Sequence, residues 1–103
     1  MLFAAEVHIT FERELRAGAA PRFESQLLGA GDKAIDCMHF MYEADEGTLA
    51  ATNQVMYLHV DLERRRAAPF PDDARMRLDA WLAAHASLPR PPQAGRSIRL
   101  RKG

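Results

Sequence analysis

Ala34-Ile35-Asp36-Cys37-Met38-His39-Phe40-Met41-Tyr42-Glu43, then Asp45-Glu46-Gly47, then the run from Thr48 through Asn53, Gln54 and Tyr57 to Leu62: these residues decide the fold. In the first segment Ile35, Cys37, His39 and Met41 share one face, and Met38, Phe40 and Tyr42 share the other. Both faces are largely apolar, as expected for a strand with neighbours on either side. Asp45-Glu46-Gly47 supplies a hairpin turn, with Gly where the backbone needs it. Thr48 to Leu62 is rich in Thr, Val, Tyr and Leu and reads as one strand. It exceeds the usual strand of about 5–6 residues, so it is expected to curve.

Working towards the N-terminus, Arg22 to Leu28 reads as a strand closed by Gly29-Ala30-Gly31-Asp32. Before it, Leu15 to Pro21 is a connection. Phe3 to Arg13 alternates, with Val7, Ile9 and Phe11 on one face and Glu6, His8, Thr10 and Glu12 on the other. That is the period of a half-buried strand. Towards the C-terminus, Arg64 to Pro71 is a loop. Asp72 and Asp73 then open a helix at the positive end of its dipole. Ala74, Leu78, Trp81, Leu82 and His85 form its packing stripe. Pro89, Pro91 and Pro92 end it, and residues 93–103 read as a basic tail with little to bury. The expectation is an α+β chain, with a partial domain over 1–92, an antiparallel sheet of four strands and one C-terminal helix.

A chain of 103 residues forms one domain near the low end for a self-sufficient core, so association with a second copy is favoured. Hydrophobic residues make up 48%, which argues against disorder. Lys and Arg together number 14, as do Asp and Glu, which excludes a general nucleic-acid or anionic-membrane binder. Cys37 is alone, so no internal disulfide is expected. With an opening that lacks a signal-peptide pattern, this points to a reducing cytoplasm. No apolar run is long enough to span a bilayer as a helix.

The stretches Glu6–Phe11, Leu15–Gly18, Met41–Thr52, Leu58–Leu62 and Arg65–Pro71 together resemble the hotdog-fold acyl-CoA thioesterases. The block from His59 to Pro71 is the most specific. It is similar to the thioesterases of bacterial carnitine breakdown, which release glycine betaine from betainyl-CoA and also occur fused to L-carnitine dehydrogenases. The resemblance implies a five-stranded sheet wrapped around a long helix, assembled as a homodimer or homotetramer. It also implies an acyl-CoA substrate and no cofactor beyond the coenzyme A of that substrate. In such families a first strand and the wrapped helix precede the segment that starts here, with an Asp-x-x-Gly-His-x-Asn-like motif. No such motif stands before Phe3. The expectation is therefore a hotdog domain lacking its first strand and central helix, weakly active or inactive as it stands. The rival expectation is a non-catalytic dimerisation or ligand-binding remnant.

Thioester hydrolysis needs a base and a donor for the developing oxyanion. Glu6 and His8 lie two apart on one strand, so they point the same way and together would poise a base near neutral pH. The alternative is a solvated strand face. Asn53 and Gln54 are polar residues in mid-strand, where they would donate to a thioester carbonyl or a head group; simple alternation would instead turn one of them to water. Arg64, Arg65 and Arg66 offer forks for the phosphates of coenzyme A, or form an ordinary solvated turn. Arg96, Arg99 and Arg101 are the rival anion site. Tyr42, Tyr57 and Trp81 would face a trimethylammonium group or pack the core. The histidines, including His39 and His59, lack the spacing of a metal site, and none is expected. Cys37 in a central strand is expected to be inert.

Overall fold

The computed structural model describes residues 1–98. Four main strands, β1 (Leu2–Phe11), β2 (Pro21–Ala30), β3 (Ala34–Glu43) and β4 (Leu49–Asp61), are followed by the two-residue β5 (Arg66–Ala67) and the helix α1 (Asp72–His85). The strand order is β1-β4-β3-β2, with every pairing antiparallel. The long strand is therefore interior. It pairs with β3 through the expected hairpin, and with β1 across a long connection rather than in a simple meander. Gly47 takes a φ of 68° in that hairpin, a conformation open to Gly at little cost. Behind it, Arg16 reaches from the β1–β2 connection to the buried carboxylate of Glu43, 2.5 Å away. That contact holds the Arg16 pKa above its usual value, first through the hydrogen bond and then through the charge.

Register assigns the side chains to two faces. One face carries the rows His8–Gln54–Met38–Gln26 and Glu6–Met56–Asp36–Gly29. The other carries Val7–Val55–Cys37–Leu27, Ile9–Asn53–His39–Ser25 and Phe11–Ala51–Met41–Phe23. α1 packs on this second face at its β2 side. There Leu78 joins Leu27, Ile35 and Cys37 in the core, against Tyr57, Phe70 and Leu82. His85 Nδ1 accepts the Leu27 amide at 3.0 Å, tying the helix end to the sheet edge.

Four local expectations change. The loop after β4 is a small hairpin: Arg65 turns with φ 52° and Arg66–Ala67 pairs back on Val60 and Asp61. Trp81 is 59% exposed, because it lies at the flank of the helical stripe that Leu78, Leu82 and His85 centre on. Val7, Ile9 and Phe11 are exposed rather than half-buried, since α1 does not reach across to β1. Residues 93–95 do not trail away. Gln93 is buried and donates to Glu12 at 3.0 Å, and the Gly95 amide donates to Gln54 at 2.8 Å.

Candidate active site

Glu6 and His8 stand on the first face of β1, two residues apart, and Gln54 lies directly opposite His8 on β4. With Met56, Asp36, Gly95 and Arg96 they line a cavity of about 330 Å³. A larger and shallower hollow of about 820 Å³ opens at the end of β1, lined by Phe11 to Leu15 and Met41. It holds none of the expected site residues, so the smaller cavity is the better candidate. Among the described residues the side chains of Glu6 and His8 have no hydrogen-bond partner, which leaves both available to a ligand or to water.

Gln54 is fixed. Its Nε2 donates to Asp36 Oδ1 at 2.9 Å, and its Oε1 accepts the Gly95 amide. One amide hydrogen remains for a carbonyl in the cavity. Asp36, which composition and alternation did not single out, thus orients Gln54, one of the two mid-strand donors that the sequence did. Asn53 lies on the opposite face, between Ile9 and His39 in register, so it cannot act with Gln54. Its Oδ1 is buried without a partner among the described residues. On that face His39 bridges Ser25 at 2.7 Å and Tyr57 at 2.9 Å, which gives both residues a structural hydrogen bond.

The arginine cluster sits apart. About 17 Å of strand separates Met56 from Asp61, after which the arginines begin. Asp61 accepts the backbone amides of Glu63 and Arg64, and its carboxylate faces Arg64 at 3.8 Å. Arg64, Arg65 and Arg66 are all exposed. Of the rival cluster, Arg96 lines the cavity, whereas Arg99 and Arg101 lie outside the described residues. Tyr42 is stacked with Phe40 and lies under the Arg22 guanidinium, 4.6 Å from its ring centre, so its face is occupied. Cys37 is buried, and desolvation first, then the Asp36 charge, raise its pKa; it is no nucleophile at neutral pH. No group of three or more His, Cys, Asp or Glu side chains among the described residues is arranged to hold a metal ion. No described helix is long and apolar enough to cross a membrane.

The chain and its fold are similar to known proteins. The betainyl-CoA thioesterase of Pseudomonas aeruginosa is 37% identical over 96% of the chain, which spans 62% of that protein's length. The L-carnitine dehydrogenase/betainyl-CoA thioesterase of Ruegeria pomeroyi is 42% identical over 94% of the chain, matching 20% of that larger protein. Among solved structures, a Staphylococcus aureus protein in complex with CoA superposes with a TM-score of 0.90 at 26% identity, covering 98% of this chain and 63% of its own. A candidate thioesterase of Pseudomonas putida superposes at 0.85 with 30% identity, over 98% and 64%. The thioesterase-like superfamily model matches residues 1–82, and with a hotdog sheet beneath that match, the chain belongs to the thioesterase-like superfamily.

Proposed function

We propose that the chain is an acyl-CoA thioesterase domain that hydrolyses betainyl-CoA to glycine betaine and CoA in the cytoplasm. The observation that carries the reading is the match to betainyl-CoA thioesterase over 96% of the chain. The cavity gives it chemistry. Water attacks the thioester carbonyl carbon, and Glu6, with His8 beside it, takes the proton. The free Gln54 amide hydrogen faces the developing oxyanion. The C–S bond then breaks and the thiolate leaves as CoA, taking up a proton. The phosphates of CoA reach along β4 towards Arg64, Arg65 and Arg66, whose forks suit them.

Turnover by this 103-residue chain is slow. Nothing described orients Glu6 or His8, and a general base contributes about 10²–10⁴-fold only when positioned. The assembly is a homodimer or homotetramer, since apolar side chains of β1 are left exposed and such surface drives association. The test is CoA release from betainyl-CoA and a panel of simple acyl-CoAs. Slow release, fastest with betainyl-CoA, is expected. Preference for another acyl group would remove the substrate assignment. Neither release nor CoA binding would leave a non-catalytic ligand-binding or dimerisation domain.

A further inference from the structure

The chain beyond α1 does not leave the sheet; it crosses it. Gln26 on β2 donates through Nε2 to the Pro89 carbonyl at 3.2 Å. Gln54 on β4 receives the Gly95 amide at 2.8 Å. Gln26, Met38 and Gln54 form one cross-strand row, so the segment between these anchors runs over Met38, which has no exposed surface. Pro91 and Gln93 are buried along the way. Gln93 adds a third anchor, donating to Glu12 just beyond β1. The next residue of that row after Gln54 is His8, and the segment arrives there with Gly95 and Arg96 in the wall of the cavity that holds Glu6 and His8.

We propose that Pro89–Arg96 is a strap that forms a wall of this cavity, and that Gln54 is its latch. Gln54 is a positioning residue in this role, and Asp36 positions it in turn. The hydrogen bonds run in one sense, from Gly95 N–H to Gln54 Oε1 and from Gln54 Nε2 to Asp36 Oδ1, so each polarises the next. The amide at position 54 satisfies both neighbours, accepting from a backbone N–H and donating to a carboxylate. The strap encloses the acyl end of the ligand and sets Arg96 at the rim. The cavity already holds the carboxylates of Glu6 and Asp36, so Arg96 balances their charge there rather than gathering phosphates, which places the CoA phosphates elsewhere. The ligand's identity rests on the acyl-CoA reading; the latch does not.

The experiment exchanges the donor and acceptor. Gln54→Glu keeps the acceptor for Gly95 but sets a carboxylate against Asp36. Adding Asp36→Asn restores a donor to face it and returns the net charge to its original value. Amide hydrogen exchange at Gly95, followed by NMR, is expected to lose about tenfold in protection in the single variant and to recover in the double. Affinity for acetonyl-CoA, a non-hydrolysable thioether, is expected to fall several-fold in the single variant and recover in the double. Unchanged Gly95 protection in Gln54→Glu, or no recovery in the double variant, overturns the latch. Altered protection with constant acetonyl-CoA affinity overturns the strap as a wall of the site. A parent chain with no affinity for acetonyl-CoA removes the acyl-CoA reading, and the exchange data alone then decide for or against the latch.

Discussion

β1 and β3 flank the same strand, β4, and share its register almost residue for residue, yet they have different fates. β3 buries Ile35, Cys37, Met38 and Glu43; β1 buries nothing, with Val7 and Ile9 each 50% exposed and Phe11 82%. Pattern is part of the difference, because β3 is apolar on both faces and β1 on one; cover is the rest. β3 has β2 on its far side, α1 over one face and the strap over the other. β1 has only β4. Apolar side chains therefore stabilise the fold in one strand and remain open to a partner in the other. The least buried of the four main strands is the one that carries Glu6 and His8.

The widest gap is expected between Met38→Ala and Ile9→Ala. Met38 is fully enclosed, so truncation should cost about 2–5 kcal/mol, as for other buried large-to-small changes. Ile9 is half exposed and should cost less than about 1 kcal/mol. Urea unfolding midpoints at constant slope measure both. Equal costs would mean that β1 is covered in solution by something that buries Ile9. A partner copy is the expected cover. Sedimentation should then show that Ile9→Thr with Phe11→Ser shifts the protein towards monomer, while the same measurement on Trp81→Ser shows no shift.

A smaller effect links the two strands through β4. Thr52 is buried and its hydroxyl meets that of Thr10 on β1. Thr52→Val should cost about 1 kcal/mol, because the partner loses its bond, whereas Thr52→Val with Thr10→Val should be closer to neutral. A double variant no better than the single would show that the pair is not coupled. The smallest effect concerns Cys37. Its raised pKa means that the folded state keeps the thiol proton longer than the unfolded state. It therefore contributes no pH dependence at neutrality, and stability falls only as pH rises past the ordinary thiol range. Iodoacetamide at pH 8 should label it far more slowly in the native protein than in urea. Fast native labelling would contradict its burial in β3.

The hairpin of β3 and β4 was legible because both faces of β3 are apolar and Asp45-Glu46-Gly47 allows little else. The pairing of β1 with β4 came from resemblance, since alternation alone gives a strand and not its neighbour. Glu6 and His8 could be placed together from spacing on one strand. Gln54 could be singled out as a polar residue in a long strand, but not its partners: Asp36 is 18 residues away and Gly95 is 41. The strap was missed because its anchors are single side chains in a proline-rich segment with no periodicity to detect. The exposure of β1 was missed because a half-apolar strand reads the same whether or not a second layer covers it.

The proposed hydrolysis runs through Glu6, the acidic residue of the least buried main strand. CoA release from betainyl-CoA by the parent chain and by Glu6→Gln, with unfolding midpoints for both, tests it directly. The expected result is a clear loss of the parent's slow turnover, smaller than the roughly 10²–10⁴-fold of a positioned base, with the midpoint unchanged. Turnover retained in Glu6→Gln would remove Glu6 as the base.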